Sequence, residues 1–250
     1  MKVIILCAGY ATRLYPLTEN RPKPLLSIAG CPIIEYILNA LKPIETVDEI
    51  ITVTNHKFAG HFETWAKTVH YPWPVAVIDD RTTSNENRLG AIGDLNYVIH
   101  QKGFQNEDLM VIAGDNLFDF DLLRFYRAAE ARRPHASIAV FDVKELQLAR
   151  QYGLVKLGKD QKVAEFEEKP AQPTTTLASC GLYWLPRETS VLLDRYLKDG
   201  HNADQPGHYM RWLAQKDALY GVSLQGRWYD IGDLNSYQKA DALFRDRHSI

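Results

Sequence analysis

The chain is short of cysteine, of net charge and of long apolar runs, and each shortage closes off a class of function. Its three cysteines, Cys7, Cys31 and Cys180, are an odd number without the spacing of a metal site. Cys7 and Cys180 lie in apolar, strand-like stretches where a thiol acts as a small buried hydrophobe, so a reducing, cytoplasmic setting is expected. A formal net charge of −2 creates no field for polyanions, which argues against nucleic acid and acidic membrane surfaces as partners. Any phosphate must be held by locally placed cations. No segment approaches the length of a membrane span, and the apolar run after Met1-Lys2 is too short for a secretory signal. Low-complexity tracts and fixed-period repeats are missing as well. So are a Walker A loop and the three-glycine dinucleotide fingerprint.

What remains is an ordinary globular composition, 46% hydrophobic and 24% charged, in 250 residues, enough for one large α/β domain or two small ones. The β-branched run Val3-Ile4-Ile5-Leu6 suits the central strand of a parallel sheet covered on both faces. It leads into Cys7-Ala8-Gly9-Tyr10-Ala11-Thr12-Arg13-Leu14. The small residues there let backbone N–H groups approach an anion, and Arg13 brings a guanidinium able to hold two phosphate oxygens. Lys23 follows between Pro22 and Pro24, which fix φ on either side and hold the ammonium in a set place.

Beyond this turn, strands and helices alternate. Ile33, Ile34, Ile37, Leu38 and Leu41 recur at helical spacing, and 49–54 reads as a strand. A helix from Phe58 through Phe62, Trp65, Ala66 and Val69 precedes a short strand at 75–78. The stripe Ile92, Leu95, Val98 and Ile99 marks another helix, and 108–113 another buried strand. In the second half, helices are expected over 121–132, 187–198 and 209–215, with strands at 137–143, 178–185 and 218–222. Two short alternating strands, 151–157 and 163–167, read as a hairpin. This rhythm argues for a doubly wound sheet whose ligands gather at the carboxyl ends of its strands. His56 and His61 have no third ligand nearby and are read as structural.

Several polar stretches fall at strand ends. The loop from Asp79 and Asp80 through Leu89 and Gly90 to Asp94 is placed to read the edge of a base. Gly114-Asp115-Asn116 sets an acid at a strand tip, suited either to a hard cation or to a helix cap. In Glu168-Lys169-Pro170 the proline holds the preceding lysine extended. Asp230 and Asp233, in Trp228-Tyr229-Asp230-Ile231-Gly232-Asp233, are open to a turn role or a second carboxylate site.

Taken together and in order, the loop 6–14, Pro22-Lys23-Pro24, Gly114-Asp115-Asn116, Glu168-Lys169-Pro170 and 228–232 resemble the sugar-1-phosphate nucleotidyltransferases, and among them the glucose-1-phosphate thymidylyltransferase type. The resemblance runs from Val3 to about Phe244. It implies an α/β fold with a Rossmann-like doubly wound mixed, mainly parallel sheet and helices on both faces. Residues 1–250 would form a single domain, 1–116 binding nucleotide and 117–250 sugar phosphate. Leu6, Ala8, Gly9, Tyr10, Ala11, Thr12 and Arg13, with Asp80, Leu89 and Gly90, would line the nucleotide. Asn116, Gly153, Glu168, Lys169 and Cys180 would take the sugar phosphate, Gly153 by letting the sugar ring lie close to the backbone. Cysteine stands at 180 where the family carries threonine. Asp115 and Asp230 would hold Mg²⁺, leaving Asp233 to cap the last helix, whose stripe is Tyr237, Ala240, Leu243 and Phe244. Arg13, Lys23 and Lys169 would be the catalytic cations. The implied reaction joins a nucleoside triphosphate, dTTP or UTP, to a sugar 1-phosphate, glucose 1-phosphate, and releases pyrophosphate. Cytidylyl transfer to a non-sugar acceptor and a non-catalytic, nucleotide-sugar-binding paralogue are the alternatives. The chain ends soon after the last matched helix, so no regulatory tail is expected, and homo-oligomerisation is left open.

Overall fold

Val3, Ile4 and Ile5 are wholly buried and face two different layers of core, Val3 and Ile5 one and Ile4 the other. A strand buried on both sides must have cover on both sides. The structure, a computed structural model, describes residues 1–216 and 218–247. In chain order the first half contains β1 (Lys2–Leu6), β2 (Ser27–Ile28), β3 (Cys31–Pro32), α1 (Ile33–Leu41), β4 (Glu49–Thr54), α2 (Ala59–Ala66), β5 (Val75–Asp79), α3 (Ala91–Lys102) and β6 (Leu109–Ala113). The second half contains β7 (Asn116–Phe118), α4 (Leu122–Glu130), β8 (Ala136–Asp142), α5 (Leu146–Ala149), β9 (Gly153–Leu157), β10 (Val163–Glu168) and β11 (Leu177–Leu185). It continues with α6 (Arg187–Ser190), α7 (Leu192–Lys198), α8 (Pro206–Gln215), β12 (Leu219–Ser223), β13 (Trp228–Asp230) and α9 (Leu234–Arg247).

The main sheet runs β10-β9-β11-β6-β1-β4-β5, with β8 pairing β11 and β12. β1 is flanked by parallel partners, β4 and β6, and β5 extends the parallel half. β11 joins β6 antiparallel and carries the second half of the chain into the sheet. One face is covered by α1, α2 and α4 through residues such as Ile37, Phe62 and Phe125. The other is covered by α3, α7 and α8 through Leu95, Tyr196 and Tyr209. This is the doubly wound mixed sheet expected of the sequence. Among the described residues no helix is long and apolar enough to cross a membrane.

Some boundaries differ from the periodicity. α2 stops at Ala66 rather than reaching Val69, because Thr68 turns back on Trp65, donating both N–H (2.9 Å) and hydroxyl (2.7 Å) to its carbonyl. The expected helix over 187–198 is divided at Val191 into α6 and α7. α8 begins at Pro206, a first-turn position where the missing N–H costs nothing.

At the C-terminal edge of the sheet the tips of β1 and β6 touch. Gly114 donates its N–H to the Leu6 carbonyl at 2.9 Å. A Cβ on Gly114 would run into the Cys7 sulfur and come within 3.0 Å of the Leu6 carbonyl oxygen. One of those neighbours is backbone and cannot swing aside. Gly114→Ala is therefore expected to lower stability by about 1–3 kcal/mol, the range for forcing extra bulk into a packed site. A urea midpoint that falls at unchanged m-value checks this; an unmoved midpoint would show that the two tips separate freely.

Candidate active site

The touching tips form the floor of a cleft of about 530 Å³. Ala11 leaves β1's turn in the left-handed conformation, φ 47°, with its carbonyl held by the Thr18 hydroxyl at 2.7 Å. A single 3-10 turn, Thr12–Leu14, follows, and buried Leu14 pins it to a small core with Ile28, Ile33 and Leu117. Arg13, next to that anchor, is exposed to the cleft and has no ion-pair partner among the described residues. Lys23 is different. It lies in a second 3-10 turn, Lys23–Leu25, with its side chain only 10% exposed, and its Nζ donates to Asp115 Oδ2 at 2.8 Å. An ammonium this deep requires a counter-charge, and Asp115 supplies it.

Asp115 sits at the turn between β6 and β7, with its side chain 40% open. Strand β7 pairs antiparallel with β13, in a register that sets Asp230 opposite Asn116. The two acids, far apart in sequence, thus become neighbours across a short ribbon. Burial pushes the Asp115 carboxyl up, but the Lys23 ammonium, their hydrogen bond and the Arg13 guanidinium outweigh it, and its pKa falls below the ordinary value. Burial pushes Asp230 up, the Asp115 charge adds to that, and Lys23, Arg13 and Lys169 pull the other way without cancelling it. A cation between the two would relieve this strain. Among the described residues no cluster of three or more His, Cys, Asp or Glu forms a complete protein cage.

On the facing wall, Lys169 does not take the extended backbone expected before Pro170 but a left-handed one, φ 45°, tied by its N–H to the Tyr152 carbonyl at 3.1 Å. Its ammonium lies 3.8 Å from Glu168, whose pKa is raised by burial and partly restored by Lys169 and His208. The Glu168 carboxyl fills the space over two glycines: a Cβ at Gly153 would meet it at 2.9 Å, and one at Gly207 would overlap it.

The remaining wall is acidic. A Cβ on Gly90, φ 80°, would fall 2.6 Å from the Ala203 carbonyl oxygen and run into the Asp204 backbone, so no side chain fits. The first N–H groups of α3, from Ala91, Ile92 and Gly93, donate to the carbonyls of Asp204 and Ala203 at 2.9–3.2 Å, so this helix N-terminus is already satisfied. Arg88 grips Asp204 with two bonds of 2.9 Å, tying the two loops together.

Of the expected site residues, Leu6, Ala8, Gly9 and Ala11 line the cleft, as do Arg13, Lys23, Gly90, Asp115 and Lys169. Thr12 and Leu89 are exposed beside it, and Tyr10 and Asp80 are buried behind its wall. Three expectations change. Cys180 shares the inward face of β11 with Leu182 and Trp184, so its thiol is in the core, 3.9 Å from the Ala178 carbonyl, while its own carbonyl accepts from Asn116. Asn116 is buried, 3% exposed, and turned to the fold's interior: its amide donates to the Cys180 carbonyl and accepts from Trp228 Nε1 at 2.9 Å, so its side chain is engaged within the protein rather than with a sugar. Gly153 makes room for the Phe166 ring and the Glu168 carboxyl rather than for a ligand. Asp233 caps α9, its Oδ1 accepting from Ser236 N at 2.8 Å.

Cleft-lining Asp204 and Gln205 were not among the expected residues, and Asp94 only as the end of the loop expected to read a base. Asp94 left a readable trace, an acid four residues before Val98 on the apolar face of its helix. Asp204 and Gln205 left none, because only the fold brings their loop over α3.

Three cations, Arg13, Lys23 and Lys169, around two neighbouring carboxylates at the strand tips of a doubly wound sheet are suited to phosphate groups. Residues 2–247 match the nucleotidyl transferase family, and the chain is a member of it. It is 28% identical over 239 residues to the bifunctional protein GlmU of Methanococcus vannielii, covering 93% of this chain and 52% of that one. It is also 28% identical to the UTP–glucose-1-phosphate uridylyltransferase of Synechocystis, covering 96% of this chain and 62% of the relative. The chain thus spans about half the length of the GlmU relative. A solved Bacillus anthracis chain assigned as a glucose-1-phosphate thymidylyltransferase, in complex with sucrose, superposes with TM-score 0.79 at 25% identity, over 98% of this chain and 96% of that one. An apo UDP-glucose pyrophosphorylase shares the fold at TM-score 0.81 and 19% identity, over 99% of this chain and 98% of that one.

The Lys23–Asp115 pair has a pH signature. Native Asp115 titrates below its unfolded value of 3.8, so its contribution to stability is complete above that pH and is lost as pH falls through the native value. Lys23→Met should therefore lower Tm more at pH 7 than at pH 3. Equal losses at both would mean that the ammonium does not hold the carboxylate.

Proposed function

We propose that this protein transfers a nucleotidyl group from a nucleoside triphosphate to a sugar 1-phosphate, releasing pyrophosphate. The observation that carries the reading is the β7–β13 register, which makes Asp115 and Asp230 neighbours at strand tips beside Arg13 and Lys23. Two carboxylates with open positions suit Mg²⁺, which is usually held by one or two protein carboxylates plus substrate phosphates. Bound there, it would supply positive charge shared by the donor and acceptor phosphates.

The chain's own residues account for the rest. An oxygen of the sugar phosphate attacks the α-phosphorus in line; a P–O bond forms to it as the bond to pyrophosphate breaks. The nucleophile is already an anion, so no general base is needed, and the barrier lies in bringing like charges together. Arg13, with no ion-pair partner among the described residues, holds the departing pyrophosphate. Lys23 neutralises charge near the α-phosphate, and Lys169, fixed by its left-handed backbone, steers the attacking phosphate from the opposite wall. In this reading 1–250 work as one domain, with nucleotide on the 1–116 side and sugar phosphate on the 117–250 side. We take UTP or dTTP as donor and glucose 1-phosphate as acceptor, supported by what the similar proteins are named for.

Pyrophosphate release from a matrix of nucleoside triphosphates against sugar 1-phosphates and phosphocholine, with Mg²⁺, tests this. Turnover with a pyrimidine triphosphate and glucose 1-phosphate is expected. Turnover with phosphocholine alone would make the protein a cytidylyltransferase-like enzyme, and nucleotide-sugar binding without any turnover would make it a non-catalytic binder. Arg13→Ala is expected to cut kcat by roughly 10²-fold or more, the scale of losing one electrostatic stabiliser. A variant that turns over like the parent would remove Arg13 from the chemistry.

A further inference from the structure

Asp94 has no part in the transfer just described, yet it is an acid on the apolar face of α3, 5% exposed, at the wall of the cleft. Its carboxyl is in hydrogen-bonding contact with that of Asp80, which is 4% exposed. Asp80 Oδ1 takes the N–H and hydroxyl of Thr82, each at 2.7 Å. Asp80 Oδ2 and Asp94 Oδ1 are buried with no donor from any other group among the described residues. Two touching carboxyls in such a place cannot both be ionised. A single proton removes the repulsion and makes the bond between them.

Among the described residues no cation is paired with either carboxyl. Asp204, preceding α8, and the Cys7 thiol, at the tip of β1, are the other titratable groups acting on this corner. Arg88 is spent on Asp204. From β4, Glu49 lies at the far end of α3, paired with Lys102 at 2.6 Å. Tyr10, coupled to Asp80 across Thr82, is a neutral phenol at ordinary pH. Burial first, then Asp80 and Asp204, push the Asp94 carboxyl up to about 8.

The cleft is therefore polar end to end. Arg13, Lys23 and Lys169 gather where phosphates can sit, whereas the Asp80–Asp94–Asp204 side repels them and favours neutral hydrogen-bonding groups. We propose that Asp80 and Asp94 hold one proton between them and that Asp94, as a neutral acid, hydrogen-bonds the base of the donor nucleotide. The inference rests on the nucleotidyl-transfer reading and adds a specificity residue to it. With that proton spent on the bond to Asp80, Asp94 offers the base its carbonyl oxygen, an acceptor for a ring N–H; ionisation breaks the bond between the two carboxyls and drives them apart, so the acceptor is no longer held in place. The same contact orients the triphosphate, base toward the acids and phosphates toward the cations.

The test compares the parent with Asp94→Asn, which keeps a donor and an acceptor but cannot ionise. In the parent, kcat/KM for UTP or dTTP is expected to fall about tenfold from pH 7 to pH 9, as the free enzyme loses its proton. In Asp94→Asn the fall is within about twofold. Inhibition by inorganic tripolyphosphate, which has no base, shows no matching fall in either protein. Independently of nucleotide, the parent's Tm should decline relative to the variant's between pH 5 and pH 8, because the native state keeps a proton that the unfolded chain has released. Parallel pH profiles, a tripolyphosphate profile that tracks the nucleotide's, or a constant Tm difference would each overturn the inference. If Asp94→Asn does not fold, Asp80→Asn carries the same expectations, since its side-chain oxygen still serves Thr82 and the need for the proton is gone. Failure of both nucleotide and tripolyphosphate to bind would sink the transfer reading itself.

Discussion

One buried amide holds the site together. Asn116 donates to the Cys180 carbonyl on β11 and accepts from the Trp228 indole on β13, so a single side chain fixes three segments that the sequence places far apart. Around it the geometry is unforgiving. Gly181, φ 65°, has the Asn116 amide 3.2 Å from where its Cβ would be, at the place where β11 slips register against β8. Loss of the amide would leave a buried carbonyl and a buried indole N–H unpaired, each worth about 1–3 kcal/mol. The cost would fall on function as well as stability, because the register of β13 against β7 is what sets Asp230 beside Asp115. On the proposed reading, Asn116 would act on the chemistry without touching a substrate, by deciding whether the two carboxylates meet.

Much of this architecture was legible beforehand because it is written in local signals. The run Val3–Leu6 announces a central strand by being β-branched and uninterrupted, and the stripes of α1 and α3 announce their buried faces by spacing alone. Elements of the cleft could be read for a related reason. Glycine next to an acid at the end of a buried strand, and a lysine between prolines, are unusual demands on the backbone, and such demands persist in the sequence whatever the surroundings.

What could not be read depends on partners that arrive from elsewhere. Gly153 carries the same letter whether it makes way for a ligand or for Glu168; only the packed structure distinguishes them. The same holds for Cys180, whose direction follows from the parity of β11, and parity shifts wherever a strand bulges. The loop around Asp204 has no local motif. It becomes part of the cleft because it supplies carbonyls to the bare N-terminus of α3 and a carboxylate to Arg88, needs that exist only after α3 and α8 have packed.

The charges follow a logic that neither composition nor net charge reveals. With a balance of −2 over the whole chain, attraction for a triphosphate must come from separation of charge rather than excess. The cleft can achieve it by pairing Lys23 with Asp115 while Arg13 has no ion-pair partner among the described residues, and by setting Asp94 and Asp204 on a different wall. Their crowding there is tolerable only if some of that charge is absent. Burying an ionised carboxylate against another is among the costliest arrangements a protein interior can hold, and the cheapest remedy is to keep a proton. The acidic wall can then repel phosphate through Asp204 while presenting neutral hydrogen-bonding groups deeper in. On the proposed reading, a cleft built this way would distinguish the two ends of a nucleotide by their charge before it distinguishes any base by its shape.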